Sequence, residues 1–229
     1  MGSAILWGAI AASSLVLGAV LALARPWSRR VIGLVLAFGA GALISAVSYE
    51  LAEEGIRSAG QLPVAAGLAA GALVFFLLDR PLERRPDAGG LPLALGAFLD
   101  GIPEQLVLGI GLASGEAVSV ALVVAIFMSN LPEAIGASSE MLAAHRSRAL
   151  VLRLWIAVAA ICMLATVAGY ALADSLSSSW QAGINGFAAG ALLVMLTDSM
   201  IPESRERAGL PAGLVLVLGF AVAAGLSVA

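Results

Sequence analysis

Apolar residues run through this chain in eight long blocks separated by short polar breaks: Ala4–Ala24, Val31–Tyr49, Leu62–Leu78, Leu91–Ala113, Ala117–Ser139, Leu154–Ala173, Trp180–Met200 and Ala208–Val228. Each block approaches the ~20 apolar residues with which an α-helix crosses a bilayer. The pattern predicts an all-α integral membrane protein of eight spans, a single membrane domain over 1–229 with no room for a soluble one. The first block lacks the positive leading segment of a signal peptide, and its arginines follow it, so it reads as a retained helix.

Composition supports this reading. Hydrophobic residues make up 61% of the 229 and charged residues 12%, about half the charge of a soluble domain. Soluble, disordered and nucleic-acid-binding proteins are excluded, because nothing here supplies a basic face for phosphates. The 12 basic residues are all Arg; His145 and Cys162 are each the only one of their kind. One cysteine forms neither an intrachain disulfide nor a thiolate cluster.

Charge placement predicts orientation. Arg25, Arg29, Arg30, Arg80, Arg84, Arg85, Arg146, Arg148, Arg153, Arg205 and Arg207 fall at one set of span ends, and Arg57 falls at the other. By the positive-inside rule the first set is cytoplasmic. Both termini then lie outside the cytoplasm, as an even number of spans also requires, in what is expected to be the cell membrane. Trp7, Trp27, Trp155 and Trp180 stand near span ends, where an aromatic belt would place them.

The chain also resembles itself. Ala40-Gly41-Ala42-Leu43 in span two is echoed by Ala189-Gly190-Ala191-Leu192 in span seven, with Glu54 and Glu203 each thirteen residues beyond the glycine. Span four carries Gly-Ile-Pro-Glu at 101–104, and span five Asn-Leu-Pro-Glu at 130–133. Such pairs on oppositely directed spans predict an inverted repeat, spans 1–3 against 6–8 with four and five paired at the centre, and a site near the midplane.

Most acids lie at span ends or in loops, where water solvates them. Asp100, Glu104 and Glu133 fall near the middle of their spans, where an acid costs at least ~2.5 kcal/mol and no Arg stands at the same depth. Asp100 and Glu104 are i,i+4, as are Ser129 and Glu133, and Asn130 with Glu133 is i,i+3, so each set shares a helix face. Pro103 and Pro132 cannot donate to the carbonyls of Leu99 and Met128, which are thereby freed. Within a membrane such carbonyls need another group or a cavity to satisfy them. Two helices presenting carboxylates, polar side chains and spare carbonyls predict an oxygen-lined cation site. Glu50 and Glu54 at one end, and Asp198 and Glu203 at the other, form outer acidic layers that are read mainly as solvated. No phosphate-binding loop is present, so no nucleotide site is predicted on this chain.

Taken together, these residues resemble the ZIP family of zinc and iron permease-like transporters. The family's fourth-span pattern His-Asn-x-Pro-Glu-Gly is matched by Asp100-Gly101-Ile102-Pro103-Glu104-Gln105, and its related fifth-span pattern by 129–134, Ser-Asn-Leu-Pro-Glu-Ala. Span seven ends in the familiar Pro202-Glu203, whereas span two has Ala52 where proline is usual. The resemblance implies a divalent metal ion as substrate rather than prosthetic group, held by Asp100, Glu104, Ser129, Asn130 and Glu133, with Glu104 and Glu133 bridging. It also implies alternating access by an elevator-like movement, and allows a homodimer. Here Asp100 stands for the usual histidine, span six offers no acid for a second metal position, and His145 is cytoplasmic. An all-oxygen donor set suits Mn²⁺, Mg²⁺ or Ca²⁺ better than a histidine-containing one, while the family prior favours Zn²⁺. The same acids would serve a permease for protons or another cation, or a non-transporting sensor. An intramembrane hydrolase would need a motif such as His-Glu-x-x-His, which is absent.

Overall fold

The computed structural model describes residues 1–83, 91–113 and 119–227, and the side chains of all of these except 79–83, 91–93, 96, 97 and 100. Among the described residues the chain is helical throughout, with no strand. The helices are α1 Gly2–Ala24, α2 Arg29–Ala59, α3 Gln61–Glu83, α4 Leu91–Ala113, α5 Val120–Ala143, α6 Arg148–Ala173, α7 Ser178–Ala208 and α8 Pro211–Ser227. Each predicted block falls on one of them. By length and composition α1, α2, α3, α5, α6 and α7 are able to cross a membrane, and Gly101–Ala113 of α4 and Pro211–Ser227 are shorter apolar helices.

Serines set several of the starts. Ser28, Ser119 and Ser147 each cap a helix by accepting from the backbone N–H of Val31, Leu122 and Leu150 at 3.1–3.2 Å, satisfying one of the orphan donors of the first turn. Glycine sets two of the ends. Gly60 closes α2 at φ 85° and Gly209 closes α7 at φ 70°, conformations that cost glycine little and a β-carbon residue more.

α2 and α7 outrun their apolar blocks because each continues through a wider, π-helical turn, Val47–Glu53 in α2 and Leu196–Met200 in α7. Both turns begin six residues after the glycine of the Ala-Gly-Ala-Leu motif, and Gly60 and Gly209 both stand nineteen residues after it. The repeat therefore extends well past the four matching letters. Pro202 follows the wide turn in α7, but α2 makes its own with Glu53 in the matching place, twelve residues after the glycine.

Packing follows the same symmetry. α3 lies on α7 as α8 lies on α2, and α4 lies on α6 as α1 lies on α5. Glycines mediate the first two contacts reciprocally. Gly71 packs on the Phe187 carbonyl and Gly219 on the Phe38 carbonyl, while Gly190 meets Leu68 and Gly41 meets Leu216. Small residues that let backbones touch are the usual means of helix association where lipid replaces water. α2 and α7 cross antiparallel, with Gly33 against Ala208 and Gly55 against Ala182. Two four-helix groups result, α1/α4/α5/α6 and α2/α3/α7/α8. They meet chiefly along α2 and α5, with one apolar core running between them through Leu36, Leu43, Ile126, Leu192 and Met200.

The arginine-bearing ends gather on one face. Arg29 pairs with Glu206 at 2.9 Å, joining the start of α2 to the end of α7, and Arg207 reaches Glu140 near the end of α5 at 3.6 Å. Arg57 is at the opposite end of α2, paired with Glu53 at 2.7 Å. Arg80, Arg84 and Arg85 lie outside the described side chains. Trp180 is 70% exposed and Trp27 is capped by Arg25 at 4.2 Å, in keeping with interfacial positions. Trp155 is not a belt residue: it is fully buried among α1, α5 and α6, because α6 begins at Arg148 and carries it inward. His145 is exposed, in a left-handed conformation just past α5.

Candidate metal site

α4 and α5 each carry a proline in mid-helix, Pro103 and Pro132. Each proline directly precedes the glutamate of its helix. The Met128 carbonyl that Pro132 leaves without its helical donor faces α2, and a β-carbon on residue 39 would lie 2.5 Å from it. Gly39 thus lets α2 close over this oxygen. The spare carbonyl expected on α5 thus lies at the contact between the two helix groups.

The side chains converge between α4 and α5. Glu104 is 1% exposed, and its Oε2 accepts from Asn130 Nδ2 at 3.3 Å, while Oε1 is buried with no partner. Ser129 is buried beside the same carboxylate, its hydroxyl also donating to the Ile126 carbonyl at 3.0 Å. Glu133 is half-buried on α5, one turn beyond Ser129 and Asn130. Among the described residues neither Glu104 nor Glu133 has an ion-pair partner. Removing a carboxylate from water without a counter-charge is costly, so the arrangement favours a cation or a proton. Four of the five predicted site residues are thereby brought together. Asp100 stands on α4 one turn before Glu104, and its side chain lies outside the described residues.

No three His, Cys, Asp or Glu side chains among the described residues form a ready ligand cluster. What the helices offer is a mixed set: two carboxylates, an amide and a hydroxyl. Gln105, next to Glu104, is fully buried and turned to α6, where its side-chain oxygen accepts from Thr166 Oγ1 while its Nε2 has no partner. Sequence reasoning passed over this pair, though a glutamine in mid-span carries the same cost signal as an acid.

Two features flank the site. On the Arg57 side a cavity of about 180 Å³ is lined by Glu50, Glu54, Ser119, Gln181 and Asn185, with Val107 and Leu108 one turn beyond Glu104. On the arginine-rich side Arg207 pairs with Glu203 and reaches Glu140, its side chain only 13% exposed and its guanidinium packed over Gly136. Glu203 and Arg207 are i,i+4, a spacing that reads as an ion pair from sequence. The link to Glu140 needed the fold.

Residues 84–227, more than half of the chain, match the family model for the ZIP zinc transporter. The chain belongs to the ZIP family. No curated protein matches it. ZIP proteins are multi-span carriers of metal ions across membranes, not enzymes, and this chain is accordingly an integral membrane protein of a metal-transporting family. The match covers both Pro-Glu helices and α7. The ZIP character of α2, which precedes it, rests on the internal repeat.

Proposed function

We propose that this ZIP protein is a divalent-metal permease that holds its ion between α4 and α5 through Glu104, Glu133, Asn130 and Ser129, with Asp100 as a further oxygen donor from α4. The observation that carries the reading is the buried, uncompensated Glu104 carboxylate, steadied by Asn130 on paired proline-interrupted helices. A divalent cation neutralises both acids together. The ion is substrate and leaves by the opposite side.

The two helix groups supply the moving parts. In this reading α1/α4/α5/α6 carries the ion past α2/α3/α7/α8, exchanging access between faces. The glycine-smooth α2–α5 contact at Gly39 and Ser129 supports sliding. The polar cavity at Glu50, Glu54 and Asn185 serves as the non-cytoplasmic approach, and the Arg207 bridge closes the cytoplasmic side. Eight spans with both termini outside the cytoplasm complete the proposal.

The test is flux of Zn²⁺, Mn²⁺, Fe²⁺ and Cd²⁺ into liposomes containing wild type or Glu104→Gln with Glu133→Gln. Wild type is expected to move at least one ion, and the double variant to fall to the level of empty liposomes. A wild type that moves none, or a double variant that moves them equally well, sinks the proposal.

A further inference from the structure

Of the two arginines near the end of α7, one turns inward. Arg205 reaches the Gly209 carbonyl at the surface, whereas the Arg207 side chain is 13% exposed and crosses from α7 to α5. A glycine from each helix group makes room for it. A β-carbon on residue 33 of α2 would lie 2.7 Å from the Arg207 β-carbon, and one on residue 136 of α5 would lie 3.8 Å from both terminal nitrogens of the guanidinium. The guanidinium has a carboxylate on each side of the seam between the groups. Glu203 stands on its own helix, and Glu140, at 3.6 Å, stands on α5. Glu133, Gly136 and Glu140 are spaced i, i+3 and i+7, so they share a face of α5. Arg207 therefore lies over the stretch between Glu140, its partner on α5, and Glu133 of the proposed metal site.

We propose that Arg207 is a tethered counter-cation that competes with the metal ion for Glu133 and so drives its release. The inference rests on the permease reading above and deepens it. When α5 moves by one helical turn, about 5 Å, towards the arginine-rich side, Glu140 passes out of reach and Glu133 takes its place beside the guanidinium. One-turn displacements between packed elements are a known form of switching. Glu203 stays with Arg207 on α7, so the arginine keeps a partner throughout. Glu133 exchanges the ion for a charge-assisted pair with the guanidinium. The ion, left with fewer donors and a like charge beside it, departs to the cytoplasm. After it has gone, the same pair spares the site the cost of a bare carboxylate.

The test is the concentration dependence of flux into liposomes, with KM and kcat read for whichever of Zn²⁺, Mn²⁺, Fe²⁺ and Cd²⁺ wild type carries fastest. Arg207→Ala removes the competitor. Its KM is expected to fall about tenfold, near the lower end of the usual coupling between two ligands of one protein, and kcat to fall with it as release slows. Arg207→Lys keeps a cation on the tether and should stay close to wild type in both. Glu140→Gln takes away the arginine's other partner on α5 and frees it for Glu133, so KM is expected to rise. A bridge with a structural role alone would lower flux without lowering KM. An unchanged or higher KM in Arg207→Ala, or equal effects of the Ala and Lys changes, would overturn the competing role and leave the permease standing. If Arg207→Ala does not fold, Glu140→Gln decides, and an unchanged or lower KM there overturns the role. A wild type that moves none of the four ions overturns both readings.

Discussion

A buried carboxylic acid needs a reason, and Glu104 has half of one in its contacts. One oxygen has Asn130, while the other has no partner. Gln105 poses a similar question one residue on, and Thr166 answers it only for the side-chain oxygen. Replacing Thr166 by Val leaves that oxygen buried and unpaired, a change that should cost about 1–3 kcal/mol in unfolding measured in detergent. Adding Gln105→Met removes both partners and should recover much of the loss, since matched apolar replacements are close to neutral. Equal destabilisation by the single and double changes would show that the pair contributes nothing. Arg207 and Arg29 offer a second contrast. The Arg29–Glu206 pair is 74% exposed at both ends, and such pairs are worth little, whereas Arg207 is largely shielded between α5 and α7. Arg207→Ala should speed amide hydrogen exchange at 138–143, at the end of α5, and Arg29→Ala should leave it unchanged.

Among the helices, the repeat is a matter of backbone approach. Gly41 and Gly190 stand where a β-carbon would run into the carbonyls of Leu216 and Leu68. Gly41→Ala or Gly190→Ala should therefore destabilise the fold by about 1–3 kcal/mol through overpacking. Gly213, on α8, faces open space; Gly213→Ala should be neutral or stabilise by a few tenths to about 1 kcal/mol, alanine being the better helix former. Comparison of the three variants by chemical unfolding checks this, and similar values for all would discredit the close-packing account. The Ala-Gly-Ala-Leu motif showed where the repeat lay but not how far it reached. The wide turns at 47–53 and 196–200 leave no signature in the letters, since one has a proline after it and the other does not. Wide turns of this kind often mark functional positions, and these two carry Glu50, Glu53 and Asp198.

For the whole molecule, the division into two four-helix groups makes ligand binding and stability one measurement. A metal seated between α4 and α5 binds the folded form, so Zn²⁺ at 100 times its Kd should stabilise wild type by about 2.7 kcal/mol. Glu104→Gln with Glu133→Gln should show no metal-dependent rise in Tm. A rise of the same size in the double variant would place the binding elsewhere.

The sequence by itself determined that this is a helical membrane protein, roughly where its helices run, and which carboxylates stand out as candidates. Hydropathy, proline and mid-span charge are local properties, and the bilayer penalises each residue where it stands. It also determined the family, through Pro-Glu motifs that need no fold to be read. Tertiary structure alone decided what those residues meet. The Met128 carbonyl turned out to face Gly39, Trp155 proved to be core, and Arg207 was found across from Glu140. Contacts between helices depend on rotation and crossing, which small residues set jointly on both partners, and no single stretch of sequence carries that information.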